Sequence, residues 1–209
     1  MSATLCGVRA DVSQSYRKLE KIAEGIRESL GYQPTEAIKP LKLFEDLHKV
    51  STTTRSGKLI PLDTGVIALE DSEGYTRYDR SNNIMEVLAS EQTYLKLENR
   101  HPRAAYFIAH ELGHCVLHTD QLVRLAQLPT AQQAAFHRGR ADHKSFQDTE
   151  WQANALASAL LMPARGIRAM ESEFALVTAS MIADQFSVSL EAAGYRVDLY
   201  QRRKSELLQ

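Results

Sequence analysis

The segment AYFIAHELGHCVLH at 105–118 constrains the fold of this chain more than any other. It places two histidines and a glutamate in the middle of an apolar run. Phe107, Ile108 and Ala109 precede them, and Cys115, Val116 and Leu117 follow. Such a run reads as a mostly buried helix, where imidazoles and a carboxylate without partners would be costly. At about 3.6 residues per turn, His110 and His114 lie one above the other, so their rings can share one metal ion. Glu111 lies roughly 100° to the side. It is too far round to be an equal ligand, but it can reach a water on the open position of a zinc site. Bound zinc lowers the pKa of that water to about 7, so a neighbouring carboxylate can take its proton. This is the physical content of the H-E-x-x-H spacing. Gly113 weakens the helix by about 1 kcal/mol relative to alanine. That cost is easiest to explain if another backbone approaches closely. The bland reading, a surface helix with two solvated histidines, does not suit the apolar flanks.

A catalytic zinc site usually has three protein ligands. The candidates downstream are His118, His137, His143, Asp148 and Glu150. His118 extends the same helix face, but three ligands from one straight helix are hard to arrange. It reads as a support for the ligands or as structure. Glu150 and Asn154 share one face of a helix whose other residues are nearly all apolar, and if buried they need partners. A glutamate ligand with a supporting asparagine is one answer. An acidic residue stabilising a helix N-terminus is the other. The residues alone leave both open.

Around these motifs the chain reads as α+β. Val12, Tyr16, Leu19, Ile22, Ala23, Ile26 and Leu30 form the stripe of an amphipathic helix over 11–30, with Gly31 as its stop. A second helix is expected over 36–49, with Leu41, Phe44 and Leu47 inward and Pro40 either in its first turn or marking a break. Strands are expected at Val66–Leu69, Tyr75–Tyr78 and Ile84–Leu88, with turns at 71–74 and 81–83, as in a small antiparallel sheet. Pro102 suits the first turn of the helix running to about His118. Residues 119–148 read as a partly helical, mobile excursion that covers the cleft. A helix from about Asp148 or Thr149 to Met162 ends at Pro163. The expectation is a small antiparallel sheet packed by helices over residues 1–163, with a helical subdomain, 164–209, packed on it.

Composition narrows the function. The 209 residues are 44% hydrophobic and 24% charged, with a net charge of −1. This is an ordinary globular balance that favours neither nucleic acid nor an anionic membrane. Cys6 and Cys115 do not suggest a disulfide framework. The N-terminus has no basic stretch leading into an apolar run, and no apolar stretch approaches ~20 residues. A cytosolic location is expected. The tail reads like a helix-turn-helix, with Ser189 as N-cap of a helix from Leu190 to Tyr200. A DNA-binding role is therefore a rival reading. However, residues 163–209 hold six Lys/Arg and six Asp/Glu, and affinity for DNA comes largely from neutralising phosphates. The tail reads instead as structure or as a platform for a protein partner.

Taken together, the motifs resemble the ImmA/IrrE family of zinc metallopeptidases. The family pattern runs from HELGH through x-L-H, E-x-x-A-N and L-L-M-P. Here these are HELGHCVLH at 110–118, EWQAN at 150–154 and LLMP at 160–163. The tail, from Ala183 through Phe186, Val188, Ser189 and Ala192 to Arg196, matches A-x-x-F-x-V-S-x-x-A-x-x-x-R. The resemblance implies a zincin-like core with His110, His114 and Glu150 as zinc ligands and Glu111 as general base. Asn154 and His118 would stand behind them. It also implies cleavage of a helix-turn-helix repressor of the XRE type, which derepresses mobile-element or stress-response genes. Of the family's R-x-R-F-T, Arg103 is kept, whereas Ala105, Tyr106 and Phe107 replace the remainder. His137, Arg138, Arg140 and His143 are candidates for stabilising an oxyanion. Trp151 reads as core or cleft wall, and Cys115 as core packing. Manganese or iron also suits two histidines and a carboxylate. The alternative function is a non-catalytic regulatory protein that holds a repressor or DNA, with a structural or vestigial zinc site.

Overall fold

A computed structural model describes residues 8–70, 72–128 and 143–209. The first helix, α1 (Tyr16–Ser29), starts later than the stripe suggests, because Ser15 caps it by accepting from the Lys18 N–H. Leu19, Ala23 and Ile26 are its buried face, and Gly31, at φ +77°, closes it. Val12 lies outside the helix and is exposed. Its neighbours are extended and hydrogen-bond to the chain before residue 150: Ala10 N–H to the Gln147 carbonyl (2.7 Å) and Thr149 N–H to the Val8 carbonyl (3.0 Å). The second helix, α2 (Pro40–Glu45), is shorter than the span 36–49 and continues as a 3-10 turn, Asp46–Lys49. Lys39, which precedes the proline, is extended and cannot join it.

The sheet has four strands, β1 (Ser51–Thr53), β2 (Leu59–Ile67), β3 (Gly74–Asp79) and β4 (Ile84–Ser90), in the order β1-β2-β4-β3. It is mixed, not antiparallel as the spacing suggests. β1 with β2 and β3 with β4 are antiparallel, but β2 and β4 are parallel, Leu62 facing Met85 through to Ile67 facing Ser90. The turn at 71–74 therefore does not join paired strands. Burial explains the order. β4 carries Met85, Val87, Leu88 and Ala89, all buried, and takes an inner place. β3 alternates exposed Tyr75 and Arg77 with inward residues and takes the edge. The strand expected at 66–69 is the end of β2, whose start is obscured in sequence by Pro61 and Gly65.

Helix α3 (Glu91–Glu98), absent from the sequence reading, begins where Ser90 accepts from the Thr93 N–H. Next come α4 (Pro102–Leu117) and α5 (Thr119–Leu125). After the undescribed 129–142, on which much of the proposed cleft cover falls, α6 (Thr149–Leu161) is capped by Asp148 and stops before Pro163. Helices α7 (Ala164–Glu173), α8 (Ala179–Phe186) and α9 (Leu190–Leu207) complete the fold. The α+β architecture is as expected. Helix α4 lies on the sheet, α6 crosses α4, and α1 packs on α6 and α9. One hydrophobic cluster links Leu19, Leu47, Ile60, Met85, Ile108, Leu112, Leu160, Phe186 and Tyr200. Among the described residues no helix is long and apolar enough to cross a membrane.

Candidate metal centre

The site is built where α4 and α6 cross, and Gly113 sets how closely they meet. A Cβ at Gly113 would stand 3.0 Å from the Ala153 Cα and 3.2 Å from its carbonyl oxygen. The obstacle is helix backbone, which cannot swing aside. Alanine would gain about 1 kcal/mol of helix propensity, whereas overpacking costs about 1–3 kcal/mol. We expect Gly113→Ala to lower stability by about 1 kcal/mol, read as a shifted denaturation midpoint. It should also weaken metal binding, because Ala153 lies between Glu150 and Asn154. A variant as stable as the parent would contradict the close crossing.

This contact brings His110 and His114, on α4, to Glu150, in the first turn of α6. The two Nε2 atoms are 3.0 Å apart. Glu150 Oε2 lies 3.2 Å from His110 Nε2, and Oε1 lies 3.3 Å from His114 Nε2. All three side chains are partly open to solvent. The fit to zinc can be tested on these distances. Tetrahedral bonds of ~2.0–2.1 Å separate ligand atoms by ~3.3 Å, close to what the residues present. Neutral imidazole and carboxylate donors also suit the ion chemically. Glu111 stands aside from the three. Its Oε2 accepts a 2.7 Å hydrogen bond from the Thr76 hydroxyl on edge strand β3.

Behind the three, His110 Nδ1 is 3.0 Å from Asn154 Oδ1, and His114 Nδ1 is 3.1 Å from His118 Nδ1. Asn154 and His118 are thus brought to the cluster. His118 Nε2 in turn is 3.0 Å from Gln152 Oε1. Gln152 and Thr76 were missed from sequence. Gln152 carried a signal, as one more polar residue in a helix otherwise nearly all apolar; Thr76 looks like any strand threonine. Of the other ligand candidates, His143 and Asp148 pair with each other (3.0 Å), both buried, and Asp148 caps α6. His137, Arg138 and Arg140 lie outside the described residues. Cys115 is buried, and burial pushes its thiol pKa up. Trp151 packs edge-on against Tyr16 and, with Tyr106, Asn154 and Tyr195, lines a groove of about 920 Å³. Tyr106, one turn before His110, donates to the Asn154 carbonyl oxygen (3.2 Å), and burial pushes its phenol up to about 12.

The cluster's charge makes the site sensitive to pH. Burial alone would lower the His110 pKa, but the Glu150 carboxylate, with Glu111 and Asn154, outweighs it, and the net shift is upward. Hydrogen bonds from His110 and His114 hold Glu150 well below the usual carboxylate range. Burial lowers His118 to about 4. In the metal-free chain, the His110 contribution to stability is full below the ordinary 6.5 and is lost as pH rises through the raised value. The Glu150 contribution is present above the ordinary 4.5 and is lost as pH falls through the depressed value. This pair therefore favours the metal-free fold between those limits. Zinc held there would have to displace the His110 proton, so its apparent affinity would climb by about tenfold per pH unit up to the raised pKa. Thermal unfolding with and without zinc checks this, since the zinc-induced increment should grow as pH rises from below the ordinary 6.5 towards the raised value. A flat or shrinking increment would contradict the assignment.

An α+β fold with two histidines one turn apart, a glutamate beside them and a carboxylate on a crossing helix fits the metallopeptidases as a class. The family model described as the IrrE N-terminal-like domain, of peptidase family M78, matches residues 66–198, and the chain belongs to this family. No curated protein matches the chain significantly. Among solved structures, a Mycobacterium tuberculosis transcriptional regulator is similar, at 19% identity and a TM-score of 0.49, covering 90% of this chain and 49% of that one. The present chain thus spans about half the length of that regulator.

Proposed function

We propose that the chain is a cytosolic zinc-dependent endopeptidase that cuts a partner helix-turn-helix repressor of the XRE type and so relieves repression of mobile-element or stress-response genes. The observation that carries the reading is the spacing of the three donor groups, 3.0, 3.2 and 3.3 Å, close to the ~3.3 Å of tetrahedral zinc ligands. His110, His114 and Glu150 would hold the ion. When bound, zinc would polarise a scissile carbonyl and acidify water in its open position. Glu111 takes the proton from the attacking water and returns it to the leaving amine. The Thr76 hydroxyl holds one oxygen of that carboxylate, which orients the other. Tyr106 stays neutral at ordinary pH and closes the α6 side of the site through Asn154.

The cations of the tail do not favour DNA. Arg196 is buried against Glu20, Lys204 pairs with Glu171, and Arg203 pairs with Glu206. Candidate repressors, purified and incubated with the chain, test the proposal. Mass spectrometry should find one defined cut, lost on chelation and restored by zinc. Intact repressor that forms a stable complex with the chain would sink the peptidase reading and favour the binding protein.

A further inference from the structure

We propose that Gln152, anchored by the backbone of residues 8–14, is a positioning residue that fixes the ring tautomer of His114, so that this N-terminal segment is a working part of the metal centre. The inference rests on the zinc reading above. Gln152 is fully buried. Its Nε2 lies 2.8 Å from the Val12 carbonyl oxygen and 2.9 Å from that of Phe146. Carbonyls only accept, so both amide protons are committed there and the orientation of the amide is settled. Oε1 must then accept, and the His118 Nε2 that faces it at 3.0 Å carries a proton.

From there the direction of each bond follows. His118 is buried, and its two nitrogens face Gln152 and His114, neither of them a carboxylate. A cationic ring there would be an uncompensated buried charge. The ring is neutral, so its Nδ1 is bare and accepts from His114 Nδ1, 3.1 Å away. His114 therefore keeps a proton on Nδ1, and Nε2, the atom facing Glu150, is the nitrogen left to bind a metal. The opposite tautomer would put a proton on the atom that must bind the metal. His110 obtains the same result locally, from Asn154 on the helix that carries Glu150.

The His114 relay instead leaves the crossed helices and ends on the Phe146 carbonyl and on that of Val12, in the N-terminal segment. That segment is held firmly. Asp11 N–H donates to Gln121 Oε1 (3.1 Å), Gln121 Nε2 donates to the Arg9 carbonyl (3.1 Å), and Arg124 grips both Asp11 oxygens (2.8 and 2.7 Å). The family match begins at residue 66, so this anchor lies outside it.

Gln152→Met keeps the length of the side chain and removes all three hydrogen bonds. We expect the zinc dissociation constant of the folded variant, read by competition with a chelating dye, to rise about 10–100-fold. Nitrogen-15 NMR of the unaltered metal-free chain should show His114 protonated on Nδ1 and, in the variant, a mixture of tautomers. The NMR measurement on the unaltered chain holds even if the variant fails to fold. An unchanged zinc affinity in a folded variant, or a His114 Nδ1 without a proton in the unaltered chain, would overturn the proposal. If the unaltered chain takes up no zinc, the peptidase reading falls, and the NMR measurement still decides the tautomer.

Discussion

Glu111→Gln is expected to lower peptide-bond cleavage by about 10²–10⁴-fold, the usual contribution of a general base, and to leave zinc binding unchanged. The substitution is nearly isosteric. Glutamine can still accept from the Thr76 hydroxyl that holds Glu111 Oε2 at 2.7 Å, so the side chain should stay in place. What is lost is the lone pair that takes a proton. The carboxylate is not one of the three groups that converge, so metal content should not move. The pair of readouts separates a chemical role from a structural one. Turnover undiminished in the variant would rule the mechanism out. Regulatory activity retained without any cleavage would favour the non-catalytic alternative.

Arg196→Met should destabilise the fold by about 3–5 kcal/mol, a large share of the ~5–15 kcal/mol typical of a domain. The Arg196 and Glu20 side chains are 1% and 3% exposed and meet at 2.6 Å. Arg196 Nε also donates to the Met162 carbonyl (2.7 Å), and Glu20 Oε2 accepts from the Ala164 N–H (3.2 Å). The pair thus ties α9 to α1 at the junction of α6 and α7. Removing the arginine leaves a carboxylate buried with one hydrogen bond and no counter-charge. Removing both charges, as in Glu20→Leu with Arg196→Met, should recover much of the loss, because no ion is then left unpaired. Urea denaturation of the parent and the two variants tests this. A single variant within about 1 kcal/mol of the parent would show that the pair does not stabilise the fold.

Much of the helical frame was legible in the sequence because its signals are local. Pro102 and Pro163 mark the start of α4 and the end of α6. The i, i+4 spacing alone puts His110 and His114 on one face, and the close approach at Gly113 was readable from its cost. What the sequence left open depends on neighbours far apart in the chain. Glu150 follows His114 by 36 residues, and nothing in either helix says that they cross. The resemblance chose Glu150; periodicity could not. Strand order was hidden for the same reason. Alternation tells which face of a strand is buried, not which strand lies beside it, so the parallel pairing of β2 with β4 was missed. Thr76 and the Val12 carbonyl contribute one hydroxyl and one backbone oxygen, groups that no sequence pattern singles out.

The most direct test of the account is the zinc content of the purified chain, measured beside its Glu150→Ala variant. The account expects about one zinc per chain in the parent, lost or held far more weakly in the variant. A parent without metal, even after zinc is added, would contradict it.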